Sequence, residues 1–181
     1  MHRFFLVLPL VVSCVACSAP AVDPRVPSLL ERPAARVALE YLGALRDADW
    51  ARAESLAHPD LWYFDPTMEI FDRPPIDHRD RASMLAFYRA AHEESGTSEV
   101  RWDVVDGFEA GPWIVLELRL FVTGSGAFWD VDTEEVSIRD GRQVSALRVE
   151  GGRVTDHVDL VAYGDALEQI DALRARFGPA R

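Results

Sequence analysis

Apolar residues recur every three to four positions through the first half of the chain and every second position through most of the second half. From Pro33, the run PAARVALEYLGALRDAD sets Ala38, Tyr41, Leu42 and Leu45 at i, i+3, i+4 and i+7, the stripe of an amphipathic helix. Asp49 stands where an N-cap belongs for a second, shorter helix, WARAESLA, which Pro59 ends. LWYFDP then reads as a short strand-like piece, and DRPPID is too rich in turn residues to continue regular structure. A third helix, RASMLAFYRAAHEE, carries Met84, Phe87, Tyr88 and Ala91 on one stripe and closes at Gly96.

Beyond Gly96 the period becomes two. SEVRWDVVDGFEA, PWIVLELRLFVTG, FWDVDTEEVSIRD, RQVSALRVEG and RVTDHVDLVAY are candidate strands, with turns at Gly111-Pro112, Gly124 to Gly126, Asp140-Gly141 and Gly151-Gly152. Turns this short make consecutive strands antiparallel neighbours. GDALEQIDALRARF reads as a closing helix, with Asp165 and Glu168 at capping-box spacing. Helices followed by a meander of long strands predict an α+β fold: a curved antiparallel sheet forming a cone-shaped half-barrel covered by the N-terminal helices. The mouth of such a cone is where a mostly apolar pocket forms.

At 181 residues and 49% hydrophobic content, the chain supports one domain with a real core. That domain is expected over 33–177, with a tail at 178–181. The first residues read differently. MHR, FFLVLPLVV and SCVACSAP supply a positive start, nine apolar residues and a small-residue stretch, the plan of a secretory signal over 1–17. Nine residues fall far short of the roughly 20 that span a bilayer. The end of this leader resembles a bacterial lipoprotein signal, in which a small residue precedes a cysteine that receives lipid. Cys17 gives the better signal length. Cys14 is the alternative, with an aliphatic residue three positions before it, and an ordinary cleaved signal is a third reading. The Pro-rich run 18–32 is expected to be an extended tether, and the resemblance to a lipoprotein signal implies a place in the bacterial cell envelope, with the membrane reached only through an N-terminal lipid.

No cysteine follows position 17, so packing alone must hold the domain. A net charge of −11, with no basic and aromatic clusters, argues against nucleic acid and against anionic lipid surfaces as partners. No HExxH pattern, Gly-rich phosphate loop or G-x-S-x-G elbow occurs, so neither a metal nor a cofactor is expected.

The chemistry concentrates in GGRVTDHVDL, residues 151–160. Strand alternation places Thr155, His157 and Asp159 on one face. Turned inward to a dry cone, Asp159 would lose hydration and its pKa would rise towards neutrality, with His157 as a proton relay or ligand contact. An Arg119 pairing would hold it ionised instead. Glu117 and Arg119 share a mixed face with Trp113, Val115 and Phe121, opposite the apolar face of Ile114, Leu116, Leu118 and Leu120. The mixed face is expected to line the cone, which leaves the apolar one as an outer face for a homodimer. Tyr63 is a candidate for stabilising developing charge. Trp102 and Trp129 are strand aromatics of the kind that pack in any sheet, and ligand contacts if their face lines the pocket. His58, His78 and His92 lie beside turns or on polar helix faces and are expected at the surface.

With the helix pair, HPDLWYFDP, HRDRASMLAFYRA and above all GGRVTDHVDLVAY in place, the chain resembles the nuclear transport factor 2-like (NTF2-like) superfamily, in its SnoaL-like and ketosteroid isomerase-like branch, over Pro33 to Phe177. The resemblance implies that Asp159 occupies the place of the acid/base carboxylate of polyketide cyclases and epoxide hydrolases, with His157 on the same wall. Epoxide hydrolase relatives pair an Arg with an Asp, whereas the order of charge at Glu117 and Arg119 is reversed here. The same cone also serves binders without activity. Two functions follow as expectations: a module binding a small apolar molecule, or an isomerase, cyclase or hydratase moving protons through Asp159 and His157 without a cofactor.

Overall fold

A computed structural model describes residues 25–71 and 73–180. The expected signal, with Cys14 and Cys17, and the first part of the expected tether lie outside the described residues. The elements run α1 (Arg25–Leu30), α2 (Pro33–Arg46), α3 (Trp50–Leu56), β1 (Ala57–Asp65), a 3-10 turn (Pro66–Phe71), β2 (Ile76–His78), α4 (Arg81–Ser95), β3 (Glu99–Ala110), β4 (Trp113–Ser125), β5 (Glu135–Glu150), β6 (Arg153–Val161) and α5 (Tyr163–Phe177).

The helices start and stop where local chemistry directs. Pro33 opens α2, where a missing N–H costs nothing. Asp49 and Asp80 cap α3 and α4, accepting from the backbone N–H of Arg52 at 3.0 Å and of Ser83 at 2.7 Å. Gly96 ends α4 in the left-handed region at φ 56°. The stripe of α2 is buried at Ala35, Ala38, Tyr41, Leu42 and Leu45. It packs with Met84 and Leu85 of α4 onto Ile114, Leu116, Leu118, Leu147 and Val154 of the sheet. Each of these larger aliphatic side chains contributes roughly 1.5–3 kcal/mol by leaving water.

Six strands form one curved, unclosed sheet in the order β2-β1-β6-β5-β4-β3. All neighbours are antiparallel except β1 and β6, which run parallel because the chain crosses most of the fold between them. Register shifts at Val104/Asp106, Leu120/Val122 and Arg148/Val149 bend the long strands, as an extra residue on one side of a ladder does.

Several expectations change. Arg25 to Leu30 is a helix against β3, with Leu29 in the core, so the second half of the expected tether belongs to the domain. Asp140-Gly141 is no turn. One strand, β5, runs through it, with Asp140 at φ 55° absorbing the bulge opposite Leu120 to Val122. FWDV belongs to the turn before β5 rather than to a strand. Asp165 and Glu168 do not cap α5, whose N-cap is Ala162; Asp165 instead accepts from Arg142 Nε at 3.0 Å.

The largest change concerns β4. Ile114 and Leu116 are fully buried and Leu118 nearly so, all beneath the helices, so the apolar face is the inner one. The mixed face of Glu117 and Arg119 points outward. The physical reason is that α2 and α4 present continuous apolar stripes, and only the uninterrupted aliphatic face of β4 matches them. The expected argument for a dimer through Ile114 to Leu120 falls with this reversal.

Candidate functional site

The inner face of β6 carries His157, fully buried, and Asp159, 4% exposed. Thr155 does not accompany them. It is the extra residue of the bulge between Val154 and Asp156, opposite Arg148 and Val149, and its hydroxyl donates to Asp156 Oδ2 at 2.8 Å. The bulge lets Val154 and His157, three residues apart, both face the helices.

Asp159 gathers the polar groups of four elements. Its Oδ1 accepts from Ser145 Oγ at 2.6 Å and Gln143 Nε2 at 2.7 Å, and lies 3.0 Å from His157 Nε2. Its Oδ2 accepts from the hydroxyls of Tyr88 at 3.3 Å and Tyr63 at 3.4 Å, distances at the weak end for an O–H donor. His157 Nδ1 lies 3.4 Å from Tyr41 Oη, with the direction of that bond set by the protons on the imidazole, and the Tyr41 hydroxyl also reaches Met84 Sδ at 3.8 Å. One carboxylate oxygen is therefore held tightly and the other loosely.

The electrostatics follow from this arrangement. Burial pushes Asp159 upward, but the His157 charge and the bonds from His157, Ser145 and Gln143 outweigh it and hold the carboxyl below its ordinary value. The rise expected from the sequence is thus reversed, and without Arg119, whose guanidinium Nε lies 3.6 Å from Asp140 on the outer face. Burial raises Tyr41, Tyr63 and Tyr88, and the Asp159 charge raises them further. All three hydroxyls stay protonated donors.

An aromatic wall adjoins the carboxylate. Tyr63 meets Tyr88 edge-on at 5.4 Å, stacks at 6.1 Å on Phe87 and 6.3 Å on His78, and lies 5.0 Å from His157. His78 pairs with Tyr63 across β1 and β2 and sits 5.3 Å from Phe87, so it is a half-buried part of this wall rather than a surface residue. His92 likewise packs edge-on to Trp50 at 6.1 Å, while His58 keeps its place near solvent beside Asp60. At the far end of β1, Asp65 is a second buried carboxylate, accepting from Thr67 N at 2.8 Å, Thr67 Oγ1 and Tyr163 Oη at 2.9 Å.

Of the residues singled out from sequence, the fold brings together Asp159, His157 and Tyr63. Glu117 and Arg119 stand on the outer face beside a cavity of about 290 Å³ lined also by Val105, Asp140 and Arg142. Trp102 packs on α2, with the Arg46 guanidinium 5.6 Å from its ring centre, and lines a separate groove of about 550 Å³ with Leu30, Leu39 and Ala44. Trp129 lies in the turn before β5, packed on Val131, Val136, Ile138 and Ile170 below α5. Neither cavity is lined by His157 or Asp159. Among the described residues, no third His, Cys, Asp or Glu joins the pair as a metal-binding group.

Gln143, Ser145, Tyr41, Tyr88 and His78 complete the site without having been assigned to it from sequence. The alternation of RQVSALRVE did carry a signal, since Gln143 and Ser145 share a face with buried Leu147. Tyr41 and Tyr88 were legible only as core stripes. For His78 a three-residue strand offers no period to read.

Comparison with known proteins agrees with this architecture. The chain resembles in structure a protein named as a SnoaL-like polyketide cyclase from Shewanella denitrificans OS-217, at 24% identity and a TM-score of 0.68, over 78% of this chain and 99% of that one. A second protein so named, from Shewanella putrefaciens CN-32, matches at 22% identity and a TM-score of 0.70, over 86% and 98%. An LEH-like epoxide hydrolase of M. tuberculosis matches at 15% identity and a TM-score of 0.58, over 79% and 92%. No curated protein sequence is a significant match. The SnoaL-like domain family matches residues 38–157, from the first stripe of α2 to the imidazole of the buried pair, and the chain belongs to that family.

Proposed function

We propose that this chain is a lipid-anchored protein of the bacterial cell envelope whose SnoaL-like domain binds a small, mostly apolar molecule against the wall of Tyr63, His78, Phe87 and Tyr88. The ligand's one polar group would be seated on Asp159. The observation that carries this reading is the asymmetry of the carboxylate: Oδ1 is saturated by three close partners, while Oδ2 has only two long hydroxyl contacts and faces the aromatic wall. A ligand donor arriving at Oδ2 would improve on what it finds there, whereas nothing could improve on Oδ1.

The charge of the site narrows the ligand. Apart from His157, no cationic side chain is among the partners of Asp159 in the described residues, and its anion is favoured. A hydroxyl or an amine suits this pocket; a carboxylate or phosphate would meet repulsion. The leader supports the envelope placement, since it has the composition of an export signal ending in cysteines.

Acid/base catalysis is the second reading, favoured by the line from Asp159 through His157 to Tyr41, which could pass a proton. Its weakness is energetic. An effective base works with a pKa near the operating pH, and the surroundings move Asp159 the other way.

The test is a titration of the protein with neutral aromatic hydroxyl compounds such as 2-naphthol, alongside the matching carboxylate, 2-naphthoic acid, read by tryptophan fluorescence. Saturable binding of the hydroxyl compound, at least fivefold weaker in Asp159→Asn and absent for the carboxylate, is the expected result. Binding that prefers the carboxylate, or that is indifferent to Asp159→Asn, would sink the proposed seat.

A further inference from the structure

Helix α1 shortens the link between the anchoring cysteine and the domain. Leu29 lies in the core, and its Cδ2 stands 2.9 Å from where a Cβ on Gly107 would be, so the helix is seated against β3. Only residues 18–24 then join Cys17 to the domain, seven in place of the fifteen expected from sequence. From Cys17 to Arg25 the chain spans at most about 29 Å even when fully extended. It enters the domain at Arg25, about 6 Å along the helix axis from Leu29, and thus beside the Gly107 end of β3.

An apolar corner lies next to that entry. Phe108 follows Gly107 and is 57% exposed. It is in register with Val115 of β4, and Ala110 is in register with Trp113. Since Ile114 and Leu116 point under the helices, Phe108, Trp113 and Val115 share the opposite face. Trp113 is half-buried, and exposed Pro112 leads into it from the β3-β4 turn. Pro112 O accepts from Val149 N at 2.9 Å, which brings the Gly151-Gly152 turn alongside. A Cβ on Gly111, Gly151 or Gly152 would meet nothing within 4 Å, so both turns project from the domain.

We infer that this corner, Phe108 with Pro112 and Trp113, rests in the headgroup region of the membrane that holds the lipid anchor. The inference depends on the anchor proposed above and adds to it the orientation of the domain. Aromatic rings, tryptophan above all, are at home at that depth, where one side is apolar and the other wet. Charge permits the contact. The acids nearest the corner are matched, Glu109 by Arg32 at 4.0 Å and Glu150 by Arg148 at 2.5 Å, and Arg153 stands in register with Glu150. The chain's net charge of −11 is thus not concentrated where lipid headgroups would meet it.

The other exposed phenylalanines are in the wrong place. Phe128 lies in the turn after β4, and Phe177 ends α5, where Gly178 O accepts from Asp132 N of the same turn. From Leu116, the register partner of Gly107, that turn is about 33 Å away along the strand. Setting it on the membrane would stretch the link to its limit, at the cost of nearly all its conformational freedom. The corner beside Arg25 asks for no such stretching. Contact through the lipid alone was an expectation for a fifteen-residue tether; a link half as long keeps the domain close to the surface.

Tryptophan quenching by brominated lipid tests the orientation. The full chain, processed in a bacterial host, is reconstituted into phosphatidylcholine vesicles with and without dibrominated acyl chains. Flotation reports the anchor, and quenching reports the corner. Trp113 is one of five tryptophans, so a loss of roughly a tenth to a fifth of the emission is expected, kept in Trp129→Phe and absent from Trp113→Phe. Phe108→Asp, with far-UV circular dichroism unchanged, should lower the quenching at least twofold. A chain that floats unquenched, as it would with a second copy covering the corner, overturns the inference and leaves the anchor standing. Quenching that survives Trp113→Phe and disappears in Trp129→Phe overturns it too. A chain that fails to float refutes the anchor instead. Cys17 of the Cys14→Ser chain is then coupled to vesicles bearing a maleimide headgroup, and the same pattern of quenching decides the orientation.

Discussion

Replacing Asp159 with asparagine keeps the shape of the side chain and removes its charge, so it measures what that charge contributes. If the amide oxygen keeps the place of Oδ1, the partners Ser145, Gln143 and His157 remain, and the amide NH₂ faces Tyr63 and Tyr88, whose hydroxyls can turn to accept. Three charge-assisted contacts of about 1.5–3 kcal/mol then become neutral ones of about 0.5–1.5 kcal/mol, a loss on the order of 3 kcal/mol. Relief from burying a charge offsets part of it. The depressed pKa of Asp159 says which effect is larger: relative to the unfolded chain, the folded site favours the anion over the neutral acid despite burial. A net cost of about 2 kcal/mol at pH 7 is expected, or roughly 4–8 °C in Tm for a domain of this size.

Acid separates this prediction from a simple packing defect. A carboxyl whose folded pKa lies below its unfolded value of about 3.9 contributes stability that is fully present above that value and is lost as pH falls through the folded pKa. Urea unfolding, followed by tryptophan fluorescence in steps from pH 7 to pH 3, should show wild type and Asp159→Asn well apart at neutral pH and converging below about pH 4. A gap that stays constant to pH 3, or a variant as stable as wild type at pH 7, would refute the claim that the site stabilises the anion.

Other outcomes follow from single contacts. Tyr163→Phe removes one of the three donors on buried Asp65 and should cost about 1–2 kcal/mol in thermal unfolding, a loss below about 0.5 kcal/mol showing that Thr67 alone suffices. Gly126→Ala drives a methyl into the backbone carbonyl oxygens of Thr133 and Val131, so roughly 2–3 kcal/mol of destabilisation is expected, together with a shift in Trp129 emission. The proposed lipid anchor predicts separately that, in a bacterial host, Cys17→Ser abolishes incorporation of labelled palmitate into the full chain. Label that survives in Cys17→Ser and vanishes in Cys14→Ser would favour the alternative cysteine, and a wild-type chain that takes up no label would refute the anchor.

What the sequence determined by itself was periodicity and its immediate consequences. The 3.6-residue stripes of α2 and α4, the caps at Asp49, Asp80 and Gly96, and the two-residue alternation of β3, β4 and β6 are local properties, written in residues within a turn or a strand of one another. They sufficed for an α+β fold with His157 and Asp159 on one face. Tertiary structure decided which face of β4 lies inside, because that depends on which stripe of which helix meets it, information held some 70 residues away in α2. It also decided that Thr155 leaves the inner face at a bulge, that His78 joins Tyr63, and that Gln143 and Ser145 rather than Arg119 hold the buried carboxylate. Each of these is a pairing between elements distant in the chain. Period and propensity are blind to such pairings, whereas the packing of a closed core leaves them no alternative.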